Sequence, residues 1–290
     1  MWESHLMGYG HLITRHVSSR CLSLWISRVR EALGVAMGFA LAASGAASAQ
    51  TCEKPVYLTL DTGHMAVAPM MAEVLKRHNV QVTFFAANER TKDGGSSLGP
   101  EWADWWRARV LEGHEFASHT YDHVYWRGDM AAGEMRFRFR PSAGPREGQE
   151  FVADGRQYCA EIDRAADRLT EITGKKTLPL FRAPGGKTSV QLLEAARACG
   201  YAHVGWSAAG FLGDELPSDK FSNDALLRRA LRDIKPGDIL MAHLGIWSRK
   251  DPWAPAVLEP LIVGLKAKGY CFRTMRAHPA YRNHVVQSGR

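Results

Sequence analysis

Across residues 56–275, short apolar runs alternate with stretches of helical period, and that alternation constrains the fold more than any other feature. Runs with strand character lie at 56–61, 81–87, 115–119, 178–182, 202–207, 238–243 and 270–275. Helical periodicity falls between them, at 66–77, 101–112, 157–172, 189–198, 223–234 and 256–268. Asn79, Gly113, Gly200 and Gly269 stand where a left-handed residue would stop four of those helices. Repeated strand–helix units bury both faces of a parallel sheet under helices. About seven units predict an α/β fold, a distorted or incomplete (β/α) barrel of about seven parallel strands. A doubly wound open sheet is the alternative. Trp102, Trp105 and Trp106 fall on one stripe of a helix and read as core.

Two stretches break the rhythm. Residues 91–100 are rich in Gly and Ser and read as a loop. Residues 125–150 form an insertion in which Met135-Arg136-Phe137-Arg138-Phe139-Arg140 alternates strictly, the pattern of a half-exposed strand with an arginine face. The insertion follows a histidine-bearing strand, so it is placed to wall a cleft.

The N-terminal residues, 1–49, read as a leader. Arg28 and Arg30 precede a short apolar run, and Ala47-Ser48-Ala49 offers a small-residue cleavage site, together the pattern of a secretory signal peptide. The run is short and rich in Gly and Ala for a membrane span, although an uncleaved N-terminal anchor is the other reading. Residues 50–290 then form one catalytic-sized domain, exported to a periplasmic or extracellular space, with no stable membrane span after cleavage. The full chain of 290 residues carries a formal charge of +7. Without the leader's four Arg and two Glu, 33 basic residues face 28 acidic ones. That excess is mild, and no basic stripe with interleaved aromatics points to nucleic acid. The four cysteines outside the leader, Cys52, Cys159, Cys199 and Cys271, allow two disulfides and contain no CxxC. Cys52 with Cys271 is the favoured pair; free, buried thiols are the alternative.

Chemistry concentrates at the predicted strand ends. His119-Thr120-Tyr121-Asp122-His123 places two imidazoles four residues apart on a turn or first helical turn, where they can converge on one divalent cation. Asp61 ends the first strand in Thr59-Leu60-Asp61-Thr62-Gly63-His64. Arg182, in Phe181-Arg182-Ala183-Pro184-Gly185-Gly186, can orient a carboxylate. His243 closes an apolar strand after Met241-Ala242. In a barrel, such ends share one face.

These motifs, in this order, resemble the polysaccharide deacetylase family, whose members share the NodB homology domain. Thr59–His64 stands for T-F-D-D-G-P, His119–His123 for H-[ST]-x-x-H, Arg182–Gly186 for R-x-P-x-G, and Met241-Ala242-His243 loosely for L-x-H. The fourth motif, D-x-x-D-W, is not clearly present; Trp206 and Asp214 lie in its region at a different spacing. The resemblance spans residues 56–275 and implies a NodB-type barrel and a metal-dependent hydrolase that removes N-acyl groups, N-acetyl first, from amino sugars of a polysaccharide. The implied cofactor is a divalent metal, Zn²⁺ or alternatively Co²⁺, held by His119 and His123. Asp61 would be the general base, Arg182 its orienting partner, and His243 the general acid. Pro184, Trp126 and Trp247 are candidate substrate contacts.

One ligand departs from the pattern. The family's second aspartate is Thr62 here, a weak ligand for zinc. Asp61 itself, His64 or Asp122 could replace it; otherwise metal binding is weak, and the chain is a degenerate, non-catalytic carbohydrate-binding protein on the same fold.

Overall fold

The computed structural model describes residues 52–131 and 133–289. The expected leader lies outside them. In chain order the strands are β1 (Pro55–Asp61), β2 (Thr83–Ala86), β3 (Glu115–Ser118), β4 (Val124–Asp129), β5 (Arg136–Pro141), β6 (Phe151–Asp154), β7 (Leu180–Phe181), β8 (Ala202–His203), β9 (Ile239–His243) and β10 (Cys271–Phe272). The helices are α1 (Ala68–Arg77), α2 (Ala103–Leu111), α3 (Gly155–Thr173), α4 (Val190–Ala198), α5 (Asn223–Asp233), α6 (Leu258–Ala267) and α7 (Arg282–Gln287). Each sequence-predicted strand and helix has its counterpart, generally shorter at the ends.

β1, β2, β3, β7, β8, β9 and β10 make a seven-stranded parallel sheet in the order β10-β1-β2-β3-β7-β8, with β9 paired to β1. Beyond β8 the ring closes only by single contacts: Ser207 N–H donates to Ile239 O (3.0 Å), and Phe211 bridges Met241. The barrel is therefore incomplete on that side. β1 is buried along nearly its whole length, as a parallel strand covered on both faces must be.

Strand parity decides what faces inward. Successive side chains point to opposite faces. Tyr57, Phe85, Ala117, Leu180, Val204 and Ile239 pack into one interior cluster. Two or four residues further along the same strands, on the same face, come Asp61, His119, Arg182 and His243. The alternation that fills the barrel thus also delivers the polar residues to its C-terminal mouth. The opposite faces of β1 and β2 pack with α1, α2 and α6 in a larger cluster that includes Trp106.

The insertion is an antiparallel three-stranded sheet, β4-β5-β6. β5 buries Phe137 and Phe139 and exposes Arg136, Arg138 and Arg140, as the alternation predicts. Phe139 stacks on Tyr158 of α3 with ring centroids 5.1 Å apart. α3 begins with a capping box, Asp154 with Gln157, and ends on left-handed Gly174. Cys52 pairs with Cys271, tying the approach to β1 to β10, and Cys159 pairs with Cys199, tying α3 to the end of α4. Among the described residues, no helix is long and apolar enough to cross a membrane.

The insertion's anchorage makes an expectation. Phe139→Ala should cost about 3–5 kcal/mol in chemical denaturation, as truncations of buried aromatics do. Arg138→Ala, on the outer face of the same strand, should stay within about 0.5 kcal/mol.

Candidate active site

A cavity of about 430 Å³ opens at the C-terminal ends of the strands, lined in part by Asp61, Thr62, Glu89, His119, His123 and His243. Asp61 ends β1, His119 follows β3, and His243 ends β9.

The segment from His119 to His123 is a turn rather than a helix start, with Thr120 (φ 59°) and His123 (φ 50°) in the left-handed region. A β-branched residue there is an outlier, which persists only when its surroundings enforce it. Thr120 Oγ1 accepts from Val124 N–H (2.8 Å), bracing the turn. The result brings the two Nε2 atoms to 3.2 Å. Two imidazole lone pairs at that distance repel unless a proton or a cation lies between them. Two ligands about 2.0–2.1 Å from one tetrahedral cation would be about 3.3 Å apart, so the pair fits a cation.

His119 Nδ1–H donates to the Arg182 carbonyl (2.8 Å), which leaves the Nε2 lone pair for the cavity. Burial, with the adjacent His123, holds the His119 pKa well below the ordinary histidine value. His123 Nδ1 shares a hydrogen bond of 2.5 Å with Ser142 Oγ, from the insertion. Among the described residues, no three His, Cys, Asp or Glu side chains are gathered tightly enough to hold a cation as they stand.

Asp61 Oδ1 accepts from Arg182 Nη1 at 2.5 Å, and its Oδ2 lies 3.7 Å from His119 Nε2. Arg182 has no exposed surface; it also donates to Thr59 Oγ1 (2.8 Å) and to the carbonyls of Val204 and Gly205. A tight crossing sets β1 against β9. A Cβ at Gly63 would meet Gly245 O at 2.0 Å, so only glycine lets the two loops approach.

His243 Nδ1–H donates to both oxygens of Asp214 (3.1 and 3.2 Å), and Asp214 Oδ2 also accepts from the His243 backbone N–H (2.7 Å). Burial opposes the charged ring, but Asp214, Asp61 and Glu215 outweigh it and push the pKa up to about 9. Asp214 and Trp206 are thus brought to the site despite their unusual spacing; Trp206 lies over the Arg182 guanidinium, 5.7 Å from its ring centroid. Burial, reinforced by Asp214 and Asp61 and opposed by His243, raises the pKa of Glu215 on the same cavity wall.

Several expectations are corrected. His64 does not join the histidine pair. Its Nδ1 accepts from Ala66 N–H (3.1 Å), its ring meets Trp247 edge-on, and it lines a separate cavity of about 100 Å³. Asp122 turns outward toward Arg164. Trp126 is on the wrong face of β4: its indole N–H donates to Asp129 Oδ1 (3.0 Å) and its ring packs with the insertion core. Its neighbour Tyr125 faces the cavity instead, against the edge of His123, as strand alternation requires. Pro184 is buried and opens a short turn, leaving Gly185 as the lining residue. Trp247 does line the cavity and is 59% exposed. Sequence reading missed Glu89, Ser142 and Glu215, none of which belongs to a contiguous motif.

With this geometry in view, the comparison with known proteins is decisive. The sequence model of the polysaccharide deacetylase family matches residues 48–204, more than half of the chain. The chain belongs to that family. A chitooligosaccharide deacetylase from Azorhizobium caulinodans is 26% identical over 233 residues, covering 77% of this chain and 93% of that protein. The peptidoglycan-N-acetylmuramic acid deacetylase PdaA of Bacillus subtilis is 28% identical over 229 residues, covering 78% and 71%. The fold is that of a family 4 acetyl xylan esterase from Clostridium thermocellum, solved with a cobalt ion: TM-score 0.57, 21% identity, 81% of this chain and 92% of that one.

The Asp214 contact sets a testable titration. A raised folded-state pKa means His243 stays protonated below about 9 and loses its proton as pH rises through that value. Histidine NMR of the metal-free protein should show this high titration. Asp214→Asn should lower it, since the largest of the raising influences is lost while burial stays and only Asp61 and Glu215 still oppose it.

Proposed function

We propose that this polysaccharide deacetylase is a metal-dependent hydrolase that removes N-acyl groups, N-acetyl first, from amino sugars of a polysaccharide or oligosaccharide. The observation that supports it most is convergence on one cavity: two facing imidazoles, a carboxylate beside them, and a histidine bound to its own carboxylate. The chitooligosaccharide and peptidoglycan substrates named for the two relatives point the same way.

His119 and His123 would hold a divalent cation, Zn²⁺ or Co²⁺. When bound, it supplies positive charge that polarises the acyl carbonyl and acidifies the attacking water. Asp61 takes the water's proton as general base, its carboxylate fixed by Arg182 so that Oδ2 faces the histidines. His243, protonated at neutral pH and aimed by Asp214, gives a proton to the departing nitrogen, which leaves poorly as an anion. Trp247 offers an exposed ring at the mouth on which a sugar's C–H face can pack. Tyr125 and the insertion residues Ser142 and Glu147 would shape the opposite wall.

The non-catalytic reading is weaker on physical grounds. A sugar-binding barrel has no need of Asp61, Arg182 and a carboxylate-paired His243 together. Export agrees with the signal-like leader and with two disulfide pairs, which persist in oxidising compartments. Residues 50–290 would then form the secreted catalytic domain.

Purified protein given Zn²⁺ or Co²⁺ is expected to bind about one equivalent per site and to release acetate from an N-acetylglucosamine oligomer. His243→Ala should lower kcat about 10²–10⁴-fold. Wild-type activity should fall as pH rises through about 9. Sugar binding without metal uptake or acetate release would favour the non-catalytic protein.

A further inference from the structure

We infer that Glu89, from the loop after β2, is the third protein ligand of the cation, replacing the family aspartate that is Thr62 here; this rests on the metal-dependent reading above. Three independent observations lead to it.

The first is charge. Glu89 lines the cavity with its side chain only 18% exposed, and its ion-pair neighbour is His123, at 3.8 Å from Oε1 to Nδ1. Among the described residues, no Lys or Arg pairs with it. A carboxylate withdrawn from water is costly without a compensating cation, and one shared with the two imidazoles would supply it. Asp61 differs, because Arg182 already neutralises it at 2.5 Å.

The second is position. Thr62 Oγ1 accepts from Ala87 N–H (3.0 Å) and donates to Glu89 Oε2 (2.7 Å). The residue that cannot ligate well is thus fixed as a clamp on one that can. One carboxylate oxygen is held, and the other, Oε1, lies 3.8 Å from His123 Nδ1, on the Ser142 side of that ring. The Glu89 main chain is pinned from both sides: its N–H donates to Ser97 Oγ (2.9 Å) and its carbonyl accepts from Ser97 N–H (2.8 Å). A glutamate has one more methylene than an aspartate, so it can reach a shared point from a neighbouring strand.

The third is elimination. His64 is engaged with Ala66 and Trp247, and Asp122 faces Arg164, so neither of these two is turned inward, and Asp61, which does face His119, is already neutralised by Arg182. Turning the Glu89 side chain from the Nδ1 edge of His123 toward the paired Nε2 atoms would close the three-ligand set that is typical of a catalytic zinc site.

The test is Zn²⁺ affinity by competition with a chromophoric chelator, with Co²⁺ absorption as a second readout. Wild type should bind one equivalent. Glu89→Gln should bind at least ~100-fold more weakly, beyond the 10–100-fold typical of losing an outer-shell partner, with an altered Co²⁺ spectrum. Thr62→Asp combined with Glu89→Gln should recover most of the affinity. Should Glu89→Gln fail to fold, Glu89→Asp, which keeps the charge but shortens the reach, should weaken binding in the same direction. Wild-type affinity in a folded Glu89 variant, while His119→Ala abolishes binding, overturns the assignment and leaves the hydrolase reading standing. Failure of wild type itself to take up metal removes both.

Discussion

A guanidinium with no exposed surface sits at the mouth of the barrel, and the site is arranged around it. Arg182 donates to Asp61, Thr59, Val204 and Gly205, and lies 4.2 Å from the ring centroid of Phe85. A buried charge is tolerable only when its donors are satisfied in fixed directions, which a planar fork achieves and an ammonium does not. The same residue's carbonyl accepts a hydrogen bond from His119 Nδ1–H. Side chain and main chain of one residue therefore orient a carboxylate and set the tautomer of an imidazole.

From that centre the cavity divides by charge. On one side, burial and the adjacent imidazole keep His119 neutral, the state in which an imidazole can accept a cation. On the other, Asp214 and its acidic neighbours keep His243 protonated. The two histidines share a pocket and differ in what stands behind each ring: a carbonyl in one case, a carboxylate in the other. Environments that push like groups apart in pKa are how one site can both take and give protons.

Much of this was legible in the sequence. The strand–helix alternation foretold the sheet, and the order of the short motifs foretold which strand ends would meet. What local pattern could not give was long-range pairing. Asp214 reaches His243 across 29 residues, its region marked only by a motif at the wrong spacing, and Glu89 reaches Thr62 across 27 with nothing in its neighbourhood to mark it. Trp126 was misplaced for a different reason. Its face is fixed by the register of β4 against β5, where Trp126 lies opposite Phe139, and the sequence alone left that register open. His64 sits on a promising loop, but the loop's own turn consumes its ring nitrogen.

The bond between Ser142 and His123 carries a consequence for how this barrel can diverge. The excursion between β4 and β6 does more than roof the opening, because it reaches down and steadies one of the two facing rings. Exchanging that excursion for another, in a laboratory chimera or over evolutionary time, alters the footing of His123 and the wall of the cavity in one stroke. The shape of the pocket and the set of that ring are therefore inherited together here, and any replacement segment has to bring its own hydroxyl to the same spot.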